Sequence, residues 1–394
     1  MAYILILLPM INFYFDLTIA RHDTGNIILQ VTDRAHIGGE TTYYAANIPY
    51  GLRYPKTGND YLFFGGFGIT NSRIYVADGY YGPNQRIDRD FRTCDVIHRV
   101  SRYGLQEYEA SYIDSGHPTP KNIKVTQYSL SSPDPKYDDG VIMIFKIKNE
   151  GVIALDSLYA GIILDLEFMT GGITREVANT DTIRRCVYQR AAETENPTVG
   201  IKILSPPRWV RWANLACLHN PTYSYPTSGL HDTFKYKFFA GRIRQYVGGT
   251  TSDWSSVASV GPFRLEPQQE YVCAFAILGG ISIDNFLANA DSIQSFYNRL
   301  FIGISENNLE KKIALLTNQR ILNSQAKLQL KVNTEEELKV NLYDLSGKLV
   351  QSFGKIKGKK IPTLILNKDY RKRIYFLRVE GKENYLTEKL IYLK

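Results

Sequence analysis

Two acidic residues in the middle of the chain have the type and spacing of a carboxylate pair that does chemistry. Asp165 and Glu167 stand two residues apart near the end of a largely apolar run, residues 158–168. Side chains two apart on a strand point to the same face of a sheet. Paired carboxylates can act as acid and base in a glycosidase, or bind a cation. The alternative is a pair on a solvent-exposed strand face, so both residues are candidates.

Two Asp-Ser/Thr-Gly triplets, at residues 23–25 and 114–116, have the sequence of an aspartic-protease site. In such a site two carboxylates share one proton and activate a water. The first triplet follows Arg21 and His22 rather than hydrophobic strand residues. Because Asp and Gly are also ordinary turn residues, we interpret both triplets as turns. An Asp-Arg-Asp stretch at 88–90 lacks the full calcium-loop pattern.

The other residues that often do chemistry form no recognisable pattern. The six histidines show neither H-x-x-x-H nor H-E-x-x-H spacing, and no G-x-S-x-G motif occurs. The cysteines lie far apart, at Cys94, Cys186, Cys217 and Cys273. We interpret them as buried apolar residues, with one or two disulfides as the alternative in an exported protein. We therefore assign no catalytic residue, no metal ligand and no cofactor.

Short strands separated by turns must position these residues. The 394 residues include 28 Tyr and 18 Phe, and 44% are hydrophobic, which excludes a disordered chain. Strand-like runs at 27–32, 141–148 and 158–168 lack intervening helical patterns. The predicted fold is mainly β: a large β-sandwich body with one packed amphipathic helix, plus a small C-terminal immunoglobulin-like β-sandwich.

One segment has helical rather than alternating periodicity. Apolar residues recur every three or four positions near residues 283–301, which predicts an amphipathic helix packed on the sandwich. We expect a body at residues 21–304, a linker at 305–317 and a separate domain at 318–394. No apolar run of 18 residues occurs after residue 20, which excludes an integral helical membrane protein.

The first 20 residues allow two interpretations. Residues 1–15 are apolar and have the length of a signal-peptide hydrophobic region, but no Lys or Arg precedes that region. The alternative is a first strand, with Phe13, Phe15, Leu17 and Ile19 on one face. Both interpretations stay open on the sequence alone.

The C-terminal residues are basic and alternate regularly between apolar and polar. Residues 318–394 contain 17 Lys and Arg against 8 Asp and Glu, whereas the rest of the chain has 30 against 31. Four lysines, at positions 355, 357, 359 and 360, flank two glycines in a predicted turn. We interpret them as a solvated loop that keeps edge strands from aggregating, and we expect no nucleic-acid partner.

Three stretches of this C-terminal segment resemble the type A C-terminal sorting domain of the type IX (Por) secretion system. They read VNLYDLSGKLV at 340–350, IYFLRV at 374–379 and KLIYLK at 389–394. The residues that carry the motif are Tyr343, Asp344, Gly347, Tyr375, Phe376, Arg378, Lys389 and Lys394. One departure is Arg373, which stands where the family usually has a glycine.

This resemblance implies export from a Gram-negative bacterium. A signal peptide would take the chain to the periplasm, and the type IX machinery of the outer membrane would secrete it or attach it to the cell surface. In the family the sorting domain is usually removed at that step.

The body has a looser resemblance. Phrases such as HDTGN at 22–26, NDYLF at 59–63 and AFAILGG at 274–280 resemble a β-rich module of large secreted bacterial proteins. Such modules sometimes follow subtilisin-like peptidase domains, and no catalytic residue is carried over from them. An accessory fragment of a larger secreted peptidase is therefore one alternative function.

The leading expectation is a secreted or cell-surface protein whose body is non-catalytic binding or structural cargo. A polysaccharide or surface ligand is one candidate partner, because aromatic rings stack on sugars. The candidate rings, whose alternative role is core packing, are those of Tyr43, Tyr44, Tyr80, Tyr81, Trp209 and Trp212. The other alternative is a secreted hydrolase that uses an unrecognised carboxylate site.

Overall fold

The structure is a computed structural model that forms two compact units, Met1–Tyr297 and Asn298–Lys394. It describes residues 18–38, 51–83, 86–168, 175–206, 213–227, 229–244, 250–302, 313–315, 321–322, 327–332, 335–344, 348–366, 373–381 and 385–392. Residues 1–17 lie outside this set, so the signal-peptide interpretation is untested. The expected linker at 305–317 falls largely outside it and stays a prediction.

The first unit is built from strands and three α-helices among the described residues. The strands are β1 (Ile19–His22), β2 (Ile28–Thr32), β3 (His36–Ile37), β4 (Leu52–Arg53), β5 (Leu62–Ser72), β6 (Tyr75–Asp78), β7 (Tyr81–Gly82), β8 (Arg86–Ile87), β9 (Arg92–Val100), β10 (Gln106–Ile113), β11 (Ile123–Ser131), β12 (Gly140–Asn149), β13 (Leu155–Leu166), β14 (Glu176–Asp181), β15 (Cys186–Ala191), β16 (Thr198–Ser205), β17 (Ala213–His219), β18 (Trp254–Leu265) and β19 (Glu270–Gly280). The helices are α1 (Asn220–Tyr223), α2 (Asp232–Phe239) and α3 (Ile283–Tyr297). A 3₁₀ turn, Tyr225–Thr227, follows α1.

Two large antiparallel sheets form a sandwich. The first has the order β1-β2-β3-β5-β13-β18-β17, with β4 paired to β2 and β6 to β5. The second has the order β14-β15-β16-β19-β12-β11-β10-β9, and β7 pairs with β8 separately. Phe67 in β5 stacks on Phe145 in β12 with ring centroids 3.8 Å apart. The main hydrophobic core therefore lies between the sheets, where alternate residues of each strand meet.

The opposite face of the first sheet is also covered. Ile163 in β13 packs with Phe238 and Phe239 of α2 in a second hydrophobic cluster. Asp165, two residues on, shares the side of the strand that carries Ile163. Burial on both faces explains why β13 reads as a continuous apolar run rather than an alternating one.

The predicted amphipathic helix is confirmed, and two shorter helices were missed. Helix α3 buries Phe286, Ala290, Ile293 and Phe296 at the expected spacing, and a π-helical segment, Asn298–Ile302, continues it. Helices α1 and α2 have four and eight residues. Such short segments give too few turns for an apolar stripe to be recognised.

The second unit is a smaller sandwich, described here by itself. Its strands are β20 (Ile313–Leu315), β21 (Ile321–Leu322), β22 (Lys327–Val332), β23 (Leu338–Asp344), β24 (Leu349–Ile356), β25 (Thr363–Ile365), β26 (Arg373–Glu380) and β27 (Tyr385–Tyr392). One sheet has the order β21-β27-β26-β23-β24 and the other β20-β22-β25. Leu330, Val340 and Leu377 are among the residues buried between them. The mainly β fold predicted for both parts is confirmed.

No helix among the described residues is long and apolar enough to cross a membrane. All four cysteines are free. Cys186, Cys217 and Cys273 are buried, as their interpretation as apolar residues requires, whereas Cys94 is exposed.

Candidate functional site

The two predicted carboxylates lie at the end of β13, where distant segments bring two more acidic residues to them. Asp253 immediately precedes β18, whose Ser255 pairs with Asp165 across the sheet. Glu176 begins β14. Asp165, Glu167, Glu176 and Asp253 are called the carboxylate cluster below. The sequence spacing identified only the first two.

Asp165 is buried and held by three donors rather than standing on an exposed face. It is 2% exposed. Asn220 Nδ2 at the start of α1 and Ser255 Oγ each donate to its Oδ1 over 3.0 Å. Tyr81 OH donates to its Oδ2 over 3.3 Å. The alternative of a solvent-exposed carboxylate pair is therefore wrong for Asp165.

Asn220 connects two members of the cluster. Its Nδ2 also donates to Asp253 Oδ1, and its backbone N donates to the Asp253 carbonyl oxygen over 3.1 Å. Its own Oδ1 accepts from Ser255 Oγ over 2.9 Å. A single amide thus fixes Asp165 and Asp253 side by side.

The carboxylate of Glu176 accepts hydrogen bonds from three donors that lie outside the cluster. Its Oε1 accepts from the backbone N of Phe168 over 3.1 Å. Its Oε2 accepts from Gln189 Nε2 and from the backbone N of Trp254, each over 3.3 Å. This carboxyl therefore joins β14, β15 and β18 at the edge of the cluster.

Two oxygens of the cluster lack such donors. Glu167 Oε2 and Asp253 Oδ2 are buried atoms without a hydrogen-bond partner among the described residues. Asp253 is 1% exposed, whereas Glu167 is half-buried. Asp165, Glu167 and Asp253 each offer one carboxylate oxygen, and these oxygens lie within 4.8 Å of one another. The cluster is therefore largely closed to solvent, and Glu167 is its one half-buried member.

Burial is the main reason why the pKa of every carboxyl in the cluster is raised. The pKa rises to about 6 for Asp253, about 7 for Asp165, about 8 for Glu167 and about 10 for Glu176. Neighbouring carboxyls add to the effect, since Asp253 raises the pKa of Asp165, and both raise that of Glu167. Four adjacent carboxyls without a cation cannot all be charged at low cost.

A second acidic cluster, near α2, is neutralised by a lysine of the same chain. Lys235 Nζ lies 2.9 Å from Asp78 Oδ2, 2.5 Å from Asp88 Oδ2 and 3.7 Å from Asp232 Oδ1. Lys235 is fully buried, and these carboxylates raise the pKa of its ammonium group, so it stays charged. Asp88 of the Asp-Arg-Asp stretch at 88–90 therefore pairs with a lysine of the chain itself.

Both Asp-Ser/Thr-Gly triplets lie in turns. The Asp23 carboxylate pairs with Arg21 and accepts from Gln106. Asp114 is buried and accepts from Tyr75 OH over 2.7 Å and from the backbone N of residues 121 and 123. Both aspartates are described, and no hydrogen bond joins Asp23 to Asp114, whereas two carboxyls that share a proton must contact each other.

The aromatic residues proposed for sugar stacking are not available where the structure describes them. Tyr80 and Tyr81 are 2% and 3% exposed and pack with Phe64 in the cluster beneath α2. Their alternative role, core packing, is confirmed. Tyr43, Tyr44, Trp209 and Trp212 lie outside the described residues.

The residues of the C-terminal motif lie on adjacent strands of the second unit. In the β23–β26 ladder Tyr343 pairs with Phe376, and Asp344 pairs with Tyr375. Tyr375 is buried, whereas Arg378 is exposed and lies 2.7 Å from Glu380. The backbone of Lys389, in β27, pairs with that of Phe376, in β26. Gly347 and Lys394 lie outside the described residues.

Asp344, at the end of β23, bonds to the chain just before β24. Asp344 Oδ1 accepts from the backbone N of Lys348 over 3.1 Å, and the two backbones pair as well. Residues 323–393 match the family model described as the secretion system C-terminal sorting domain. This segment is a type IX sorting domain. The sorting domain occupies the C-terminal fifth of the chain, where the motif residues predicted it.

The solved structures that resemble this chain do so at low sequence identity and over only part of their own length. No curated protein matches the chain. A bacterial glucoamylase crystallised with acarbose is similar at 10% identity and a TM-score of 0.42, covering 72% of this chain and 37% of its own. A heparan sulfate lyase mutant from Pedobacter heparinus is similar at 10% identity and a TM-score of 0.34, covering 87% and 41%. The chain spans less than half the length of these structures.

Proposed function

We propose that the protein is cargo of the type IX secretion system and that its body is a non-catalytic binding or structural module. The sorting domain at residues 323–393 is the observation that carries this proposal. That domain implies secretion to the cell surface or the extracellular space. The proposed route runs by a signal peptide to the periplasm and then through the outer-membrane machinery.

The geometry of the carboxylate cluster supports the non-catalytic role. Asp165 and Asp253 are 2% and 1% exposed, and Asp165 is already held by three donors. A glycosidase needs both of its carboxyls within reach of the scissile bond. In this cluster only Glu167 has the exposure that contact with a polymer requires.

Export is tested by comparing the full chain with a chain that ends at residue 317, in a bacterium that has a type IX system. Both chains are made with their own N-terminus and with a proven signal peptide in its place. Cells are fractionated, and both termini of each product are read by mass spectrometry.

We expect only the chains that retain residues 318–394 to reach the surface or medium, with that segment removed. Equal export of the truncated chain would contradict the role of the sorting domain. Export that depends on the substituted signal peptide would contradict a signal function for the native N-terminus, while leaving the sorting step supported. Glycan-array binding by the released body then tests the binding role.

A further inference from the structure

The carboxylate cluster contains two buried oxygen atoms that accept no hydrogen bond from the described residues. Asp253 is almost completely buried, yet its Oδ2 accepts no hydrogen bond among the described residues, and the same holds for the buried Oε2 of Glu167. A buried carboxylate oxygen without a donor or a counter-ion costs several kcal/mol. Native proteins usually satisfy such atoms, so their presence in one cluster points to a missing partner.

The Lys235 cluster shows how this chain neutralises buried carboxylates elsewhere. There, three aspartates surround an ammonium group. In the carboxylate cluster, no lysine or arginine of the described residues forms an ion pair with Asp165, Glu167, Glu176 or Asp253, and no cationic group is among the causes of their pKa shifts. The positive charge that would balance this cluster is not supplied by the described part of the chain.

We propose that Asp165, Glu167 and Asp253 bind a divalent metal ion, with Ca²⁺ as the preferred species. The donors are all oxygens, which favours Ca²⁺ or Mg²⁺ over transition metals. The three oxygens lie within 4.8 Å of one another. Ca²⁺ accepts irregular sites built from protein oxygens, whereas Mg²⁺ demands a near-ideal octahedron and usually keeps several waters, so a largely buried carboxylate site favours Ca²⁺.

The hydrogen bonds around the cluster would hold the ligands of a structural ion in place. Asn220 and Ser255 hold Asp165 in place, and Asn220 leaves Asp253 Oδ2 unoccupied. The ion would tie the end of β13 to the start of β18 and would enter on the half-buried Glu167 side. This inference does not depend on the proposed route of secretion.

The test uses the purified full chain after chelator treatment and dialysis. Tb³⁺ is the probe, because Trp254 adjoins Asp253 and can sensitise lanthanide luminescence on excitation of the indole. Ca²⁺ and Mg²⁺ are titrated as competitors, and thermal unfolding is measured with and without each ion. We expect bound Tb³⁺ to luminesce. Ca²⁺ should displace the Tb³⁺ at a lower concentration than Mg²⁺ does, and Ca²⁺ should raise the Tm of the protein by several degrees.

Glu167→Gln is the main variant, because the Glu167 side chain makes no described hydrogen bond and the substitution therefore removes none. Asp253→Asn is the second, since an asparagine oxygen can still accept from Asn220. Each is expected to weaken Tb³⁺ and Ca²⁺ binding at least about tenfold. Asp156→Asn, at an exposed acidic residue paired with Arg264, is the matched control and should bind like the wild type.

Two results would overturn the proposal. One is a wild-type Tm and Tb³⁺ signal that are unchanged by Ca²⁺ up to about 10 mM, above the dissociation constants of extracellular calcium modules; the carboxyls would then be sharing protons instead. The other is equal affinity in the wild type, Glu167→Gln and Asp253→Asn, which would place any bound ion elsewhere.

Discussion

At the scale of residues, Lys235 combines a positive charge with complete burial. Its ammonium group is buried and contacts three carboxylates, and both carboxylate oxygens of Asp78 accept from it over 2.9–3.0 Å. A buried ion pair is costly to form, but removing one partner leaves the other charges uncompensated. Lys235 therefore stabilises α2 on the sandwich together with the packing of Phe238 and Phe239.

Lys235→Met should reduce the free energy of unfolding by about 3–5 kcal/mol, because it leaves buried aspartates without their cation. Urea unfolding followed by tryptophan fluorescence measures the change. Lys237→Met, two residues along the same helix, is the control and should cost less than about 1 kcal/mol, because Lys237 is only partly buried. Equal losses in the two variants would show that the ion cluster is not what stabilises this region.

The carboxylate cluster shows what residue spacing can and cannot predict. Asp165 and Glu167 were found because two positions on one strand share a face. Asp253 and Asn220 were not, because they come from segments 88 and 55 residues further on, and only the β13–β18 pairing and the placement of α1 bring them near. Burial of Asp165 was missed for the same reason, since α1 and β7 supply the groups that cover it.

At the scale of elements, β1 is joined to the opposite sheet by a histidine. The two ring nitrogens of His22 lie 2.9 Å from Ser131 Oγ and Ser129 Oγ of β11. The ring also packs edge-on against Tyr108 of β10. Burial lowers the pKa of His22 from 6.5 to about 3, against the smaller opposing effect of Asp23.

This link should make the first unit acid-sensitive. Below pH 6.5 the unfolded chain binds a proton at His22 that the folded chain rejects until about pH 3, so stability falls as the pH falls. Between pH 6.5 and 5 the loss from this residue is about 2 kcal/mol.

Urea unfolding of the wild type and of His22→Gln is measured at pH 6.5 and at pH 5. Carboxyls with raised pKa values stabilise the folded state as the pH falls, which opposes the effect of His22. Because both proteins contain these carboxyls, their contribution cancels when the two pH dependences are subtracted. The wild type should lose about 2 kcal/mol more than the variant. His98→Gln, at an exposed histidine, should follow the wild type. Parallel pH profiles for wild type and His22→Gln would refute the assignment.

The elements themselves were predicted unevenly. Long strands such as β12 and β13, and helix α3, have enough residues for their periodicity to be counted, whereas two-residue strands such as β3 and β4 do not. Helix α2 was missed because Lys235 lies in the middle of its buried face, so charge interrupts the apolar stripe. The order of strands within each large sheet was not predictable, because pairing between β5 and β13 or β12 and β19 depends on contacts far apart in sequence.

At the scale of the whole molecule, the chain consists of two units with separate hydrophobic cores and different charge. The body is almost neutral, and the C-terminal segment carries a surplus of nine positive charges. Leu377, in β26, is fully buried in the core of the second unit. Because each core is closed by its own sheets, we expect a core substitution to act within its own unit.

Leu377→Ala should destabilise the second unit by about 2–5 kcal/mol, a large share of the stability of a domain of this size. Limited proteolysis followed by mass spectrometry should then release the C-terminal segment early and leave a stable body. Ile365→Ala, at a residue that is 59% exposed, should digest like the wild type. Loss of the body at the same rate as the C-terminal segment would contradict independent cores.

The position of β27 sets the order in which the sorting domain can be completed during synthesis. This strand is the last of its sheet to be made, yet it lies in the interior, between β21 in parallel and β26 in antiparallel pairing. Until β27 is made, β21 lacks its neighbour in this sheet and β26 is an edge strand. A chain that stops before β27 would therefore contain the described strands of the first unit but an unfinished sheet in the sorting domain.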